Sequence, residues 1–350
     1  MNYLLREATA EEIENWDQLI LANPNGGDIL QGSTFASIKK DGRWRPRYVI
    51  YDGLPKIAAL FLELTVPSIG KIIYCPAGPG VATVEQLAEV AKANQTYCAK
   101  HQNIFLIKID PALPAPANMP SQLTKAPGNI QPHAAVACII NFPNSPEELF
   151  AFYSSHERNR IRKAEKSGIT VRLVESNEIN LKKFFDLYTS TGERNSFFVR
   201  PYSYYRKFWQ AFSNAKQGQL FFAEKNGQLL CGGFVIHFGR LGYYKDSGSV
   251  RGVPLLNAPH LLQWEMQRWL LQQGVRRYEM IGVPPLSRLN DETHPLYNVG
   301  MFKRSFDPNI IDLVGTWDQI LRPAAHRRWL TYGQKISNKI ARHIWKDNLY

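Results

Sequence analysis

The chain has 350 residues, with 42 Lys and Arg against 30 Asp and Glu and a formal charge of +12. At 44% hydrophobic and 21% charged it has the composition of a soluble globular protein, and its length makes two domains the default. No apolar run approaches the roughly 20 residues that span a bilayer; the longest candidate, Ile57 to Val66, is strand-length and interrupted by Glu63. The start "MNYLLREATAEE" lacks the basic and then apolar blocks of a secretory signal. Cys75, Cys98, Cys138 and Cys231 are widely spaced without a CxxC, which reads as free thiols in a reducing cytoplasm. The eight histidines show no paired metal spacing, so no metal is expected.

Thr9 and Glu12 form a capping box before Ile13, Trp16 and Ile20, which predicts a helix. "RYVIYDGLPKIAALFLELTV" reads as two strands joined near Asp52-Gly53, and "KIIYCP" as a third. The loop "AGPGVA" leads to a helix with Thr83 and Gln86 at capping-box spacing and Leu87, Val90 and Ala91 on one face. The strand "IFLIKID" follows, then a long proline-rich surface loop. Pro and Asn cluster near "NFPNSPEE", a domain boundary. "SPEELFAFYSSHERNRIRKAEKSG" and "LKKFFDLYTSTGERN" read as helices.

The order of elements then repeats. A hairpin "LFFAEKNGQLLCGGFVIHF" turns at Asn226-Gly227 and is followed by the strand "LGYYKD" and the loop "SGSVRGVPLLNAP". A helix runs from about His260 to Gln273, with Leu262, Met266 and Trp269 inward and Gly274 as its stop, and leads to the strand "VRRYEMIG". The strand "NIIDLVGTW" has no place in this second copy and is expected to return to the first domain. In the last thirty residues seven Lys or Arg face one Asp, and Ile336, Ile340 and Ile344 recur every four residues. That predicts an amphipathic helix with a basic face, suited to an anionic membrane surface, to RNA, or to packing with a solvated back.

Antiparallel strands followed by loop, helix and strand are the layout of a GNAT-type acyltransferase. The expected fold class is α/β (α+β): two tandem GNAT-like domains with mixed, mostly antiparallel sheets flanked by helices. Domain 1 covers 1–145 and is completed by 302–350; domain 2 covers 146–301.

Several stretches carry a resemblance: "LQGSTFASIKK", "YCPAGPG", "IDPAL", "RNRIRKAEKSGITV", "TSTGERNSFFVRPYSYY", "NAPHLLQWEMQRWLLQQGVRRYEMIG" and "MFKRSFDPNIIDLVGTWD". In this order the chain resembles the Fem family (FemA, FemB, FemX), bacterial aminoacyltransferases that use charged tRNA to build peptidoglycan cross-bridges. Without a coiled-coil insertion it is similar to the compact FemX type. Phe35, Glu279 and Thr316 depart from the family pattern, where Trp, Asp and Glu are common.

The resemblance implies an aminoacyl-tRNA donor and a peptidoglycan precursor acceptor, either UDP-MurNAc-peptide or lipid II. It implies no cofactor, because the ester is already activated. A cytoplasmic protein in contact with the inner face of the membrane is expected. Lys303 lies between Phe302 and Phe306 in sequence; alone it fits a snorkelling lysine. The resemblance makes it, with Phe302, the group that stabilises the tetrahedral intermediate. Asp110 ends its strand before Pro111, which suits either a proton acceptor or a turn. By resemblance Lys39 and Arg200 hold the precursor diphosphate, and Tyr204 and Tyr244 add hydroxyl contacts. Arg158, Arg160, Arg162 and Lys163 lie on a basic helix that is either solvated or neutralises tRNA phosphates. Two rival readings remain. One is an N-acetyltransferase using acyl-CoA, whose Gly-rich pyrophosphate loop neither "AGPGVA" nor "SGSVRGVP" fits well. The other is a non-catalytic protein that binds tRNA or precursor.

Overall fold

A computed structural model describes residues 3–40, 42–100, 103–128, 135–195, 197–347 and 349. The chain forms two compact units, Met1–Val136 with Ile311–Tyr350, and Ala137–Ile310.

In the first unit the capping box forms as expected: Thr9 accepts from the Glu12 amide, and Glu12 accepts from the Thr9 amide at 2.9 Å. The helix breaks after one turn into α1 (Ala10–Glu14) and α2 (Trp16–Leu21). Trp16 and Ile20 are buried, but Ile13 is 41% exposed, because the break turns it away from the face they share. α3 (Ser33–Lys40) precedes the hairpin of β2 (Arg45–Asp52) and β3 (Ile57–Val66). β4 (Gly70–Cys75), α4 (Val84–Lys100), β5 (Ile104–Ile109) and the short β6 (Thr124–Lys125) complete the first pass. At the head of α4, Thr83 accepts from the Gln86 amide at 3.2 Å, while Gln86 reaches Ala82 N at 2.8 Å, one residue before the expected cap.

The sheet order is β1-β2-β3-β4-β5-β14-β6, with β1 (Leu4–Glu7) at one edge and β14 (Trp317–Ile320) supplied by the end of the chain. β4 and β5 are parallel. β14 is seated by a buried ion pair: Asp318 lies opposite Lys108 in register, and both are almost fully enclosed. Gln319 adds bonds to Asn94 (3.0 Å) and Ala91 O (2.7 Å) of α4. Two buried charges that satisfy each other fix a register, since a one-residue slip would strand both.

The second unit repeats this plan. Its elements are β7 (Val136–Asn141), α5 (Pro146–Phe152), α6 (Ser155–Lys166), β8 (Ile169–Val174), α7 (Glu178–Asn195) and α8 (Tyr202–Asn214). There follow β9 (Gly218–Lys225), β10 (Gln228–Phe238), β11 (Leu241–Ser249), α9 (Ala258–Gln272), β12 (Arg277–Met280), α10 (Tyr297–Arg304) and β13 (Asn309–Asp312). Asn226 (φ 50°) and Gly227 (φ 76°) turn β9 into β10, as a two-residue hairpin with right-twisted strands requires. The order is β13-β7-β12-β11-β10-β9-β8, and β11 and β12 are parallel. Each sheet thus carries an antiparallel run and a parallel pair; β14 enters the first sheet between β5 and β6, and β13 edges the second.

Four expectations change. The unit boundaries fall at Val136/Ala137 and Ile310/Ile311 rather than 145/146 and 301/302. β7 pairs with β12, and Phe302 and Phe306 of the α10 segment pack on His260 of the second unit. "NIIDLVGTW" is not one strand. It breaks at Gly315 (φ 72°), so that β13 joins the second sheet and only β14 the first. The helix expected over 145–168 is cut by extended Tyr153 (ψ 150°), whose ring is buried. The C-terminal helix is α11 (Pro323–Arg328), a π turn over Trp329–Gly333, and α12 (Gln334–His343). Trp329 and Ala341 anchor it, leaving Ile336 at 53% and Ile344 at 71% exposure.

Candidate active site

Lys303 is buried, at 5% exposure, on the inner side of α10. Its ammonium donates to the carbonyls of Ile281 and Gly282 (3.4 Å to Gly282), just beyond the end of β12. The Tyr244 ring on β11 lies 6.0 Å from Nζ. The head is therefore seated where the parallel pair β11–β12 ends. Burial lowers its pKa to about 8, partly opposed by the Cys138 thiol on β7. Cys138 in turn is pushed up to about 12 by burial. Tyr244 is held up at about 12 by burial.

Phe302 and Phe306, which flank Lys303 in sequence, do not enclose its ammonium. Phe302 and Phe306 are four residues apart and share one helical face, so Lys303 projects from the next. The two rings meet edge to face at 5.6 Å and enclose the His260 imidazole instead, at 5.1 and 5.8 Å. His260 Nδ1 lies 2.5 Å from Oε1 of the fully buried Glu157, whose other oxygen is 3.3 Å from Arg160. Sequence reading missed this pair. Glu157 stands among basic residues in α6 and looks like one more surface charge, and its partner is 103 residues away.

Arg200 and Tyr204 do come together: the guanidinium sits 4.8 Å over the phenol ring, which stacks on Phe208 at 6.4 Å. Lys245 lies 4.8 Å over Phe208 and 3.1 Å from Asp246, and Asp246 accepts from Trp209 Nε1 at 2.8 Å. This second cluster of cations and aromatic rings, half open to solvent, adds Lys245 to the expected set. Of the α6 cations, Arg158 bonds Ala151 O (3.0 Å) and Tyr153 O, bracing the break between α5 and α6. Arg160 faces Glu157, while Arg162 and Lys163 are exposed.

In the first unit, Lys39 is half-buried in the last turn of α3 with its ammonium 5.2 Å over Phe35, which gives the departure at 35 a visible partner. Asp110 is 2% exposed and both its oxygens are engaged: Tyr74 donates to Oδ2 and Thr316 to Oδ1, each at 2.5 Å. Thr316 is thus tied to the end of β5 by a short hydrogen bond. The third departure, Glu279, pairs with Arg277 at 2.5 Å. Among the described residues no group of His, Cys, Asp or Glu is arranged to hold a metal ion.

The chain is an aminoacyltransferase built from two α/β units, as its family and relatives show. The chain belongs to the FemAB family, whose family model matches residues 122–226 and 214–328. It is 25% identical over 337 residues to the UDP-N-acetylmuramoylpentapeptide-lysine N(6)-alanyltransferase of Weissella viridescens, covering 90% of this chain and 96% of that one. It is 23% identical to the lipid II:glycine glycyltransferase of Staphylococcus haemolyticus, covering 87% and 90%. The crystal structure of FemX superimposes with a TM-score of 0.78 over 94% of this chain and 100% of that one, at 19% identity.

Proposed function

We propose that the chain transfers an amino acid from aminoacyl-tRNA to an amine of a peptidoglycan precursor. The observation that carries this reading is the buried Lys303 ammonium at the end of the parallel pair, with two relatives, matched over 96% and 90% of their lengths, named as alanyl- and glycyltransferases on such precursors. The amine attacks the ester carbonyl, and negative charge develops on the carbonyl oxygen. An ammonium already desolvated by burial acts strongly on that charge. The ester bond to ribose then breaks, so neither metal nor nucleotide is required. Incubation with total charged tRNA and a UDP-linked or lipid-linked pentapeptide, followed by mass spectrometry, is expected to show one added aminoacyl residue. A precursor of unchanged mass, or one acetylated when acetyl-CoA is supplied, would defeat the proposal.

Acceptor binding is assigned to Arg200 with Tyr204, and to Lys39. Arg200→Ala and Lys39→Ala are each expected to weaken binding of the nucleotide-linked peptide roughly tenfold, the scale of one charge-assisted contact. The difference should shrink in high salt, where screening already masks these half-buried cations. Titration calorimetry checks this; two variants that bind like the parent would remove both residues from the acceptor's contacts.

The reading extends to peripheral contact with an anionic membrane surface through α12. Tyr332, Ile336, Lys339 and His343 follow at helical spacing and all are exposed, with Lys335 and Arg342 alongside. Exposed isoleucines favour lipid over RNA, which needs only the cations. Vesicles containing phosphatidylglycerol are expected to sediment the protein, and pure phosphatidylcholine is not. Ile336→Ser with Ile344→Ser should weaken binding at least about tenfold, since each loses its apolar burial. Equal binding to both vesicle types would refute the contact.

A further inference from the structure

Glu157 and His260 have no part in the roles assigned above. His260 stands in the first turn of α9, where the loop after β11 enters the helix. A buried carboxylate at Nδ1 holds the ring proton there, which leaves the Nε2 lone pair pointing the other way. Among the described residues no group hydrogen-bonds Nε2, and the side chain keeps 14% of its surface open. A pair that served packing alone would be expected to satisfy or seal both ring nitrogens. Here one is fixed and the other is left open. The rings that fix the imidazole plane are Phe302, in α10 beside Lys303 in the chain, and Phe306, just past the helix end. Phe302, which meets the imidazole, and Lys303 are consecutive residues of α10.

We propose that His260 is the proton-transfer group of the reaction and that Glu157 is its positioning residue. The inference rests on the transfer reading above. As the amine nitrogen bonds to the ester carbonyl carbon, Nε2 takes one proton from that nitrogen. When the carbon–oxygen bond to ribose breaks, the same proton passes to the ribose oxygen. One N–C bond forms, one C–O bond breaks, and the imidazole ends as it began. Lys303 keeps its proton throughout. Phe302 holds the imidazole by its edge, and the buried carboxylate holds the proton on Nδ1.

Single-turnover kinetics on the full chain, with pre-charged tRNA and a pentapeptide precursor, test this. His260→Ala is expected to slow the chemical step about a hundredfold, the lower range for loss of a general acid–base group. Dissociation constants for both substrates should stay within about twofold. Free imidazole should restore roughly tenfold of the loss in this variant, as a small base enters the vacated space. Glu157→Gln should slow the step about tenfold, with no response to imidazole, because the ring is present but less firmly held. Should Glu157→Gln fail to fold, the imidazole response of His260→Ala decides alone. A parent rate in His260→Ala, or a loss that lies in substrate affinity and ignores imidazole, would overturn the dyad while leaving the transfer reading intact. A wild-type chain that forms no amide from charged tRNA would overturn both.

Discussion

Lys303→Met is expected to lower the rate of amide formation by two orders of magnitude or more, the scale seen when one oxyanion donor is lost. Substrate affinities should hardly change, because the carbonyl carries full negative charge only at the transition state. The fold should survive. The lowered pKa of about 8 means that the protonated side chain costs on the order of 3 kcal/mol where it lies. Met removes that cost and keeps the stem's volume, but it leaves the Ile281 carbonyl short of a donor, a loss of about 1–3 kcal/mol. The two nearly offset each other. Single-turnover measurements on protein with a parent-like melting curve decide; a parent rate in Lys303→Met would return the residue to mere packing.

The same residue sets a pH dependence whose sign is fixed. Its folded pKa of about 8 lies below the ordinary lysine value of 10.5, so between the two the unfolded chain holds the proton more often. Stability contributed by this group therefore rises with pH across that window. Its catalytic contribution runs the other way. The ammonium is present below about 8 and is lost above it, so the Lys303-dependent part of the rate should fall as pH rises through that value. In Lys303→Met that alkaline fall should vanish.

What the sequence made legible follows the range of the interactions. The hairpin at Asn226-Gly227, the capping box at Thr9 and the repeated strand–loop–helix–strand order are local, and each formed with small displacements. Long-range partners were not legible. Nothing near Asp318 announces that Lys108 waits opposite it, and nothing in "SSHERNR" marks Glu157 as the one charge that turns inward. Lys303 was legible only through the family resemblance, and its true setting, backbone carbonyls rather than phenyl rings, depends on where β12 ends. The split of "NIIDLVGTW" hung on Gly315, whose positive φ separates a strand of one sheet from a strand of the other.

Asp110→Ala is expected to destabilise the first unit by about 3 kcal/mol, since it leaves the hydroxyls of Tyr74 and Thr316 without their shared acceptor inside the core. Asp110 joins the end of β5 to the residue just before β14, so the loss should appear where the C-terminal strand docks. Asp110→Asn keeps one acceptor oxygen and the side chain's volume, and the facing hydroxyl can rotate to accept from the new amide. Its destabilisation should be smaller, about 1 kcal/mol. Folded Asp110→Asn should then transfer within roughly tenfold of the parent, because a carboxylate already engaged by two hydroxyl donors is poorly placed to take a proton from substrate. If Asp110 were the general base, the pattern would invert: Asn would keep the melting temperature and lose a hundredfold or more in the chemical step. A double-mutant cycle with Thr316→Val separates the two further. A positioning role predicts a coupling of at least about 1 kcal/mol in stability between positions 110 and 316, as residues sharing a buried hydrogen bond show. Urea unfolding of the four proteins, beside single-turnover rates for Asp110→Asn, gives both readouts, and independent stability effects at the two positions would leave the Asp110–Thr316 bond without the role assigned to it.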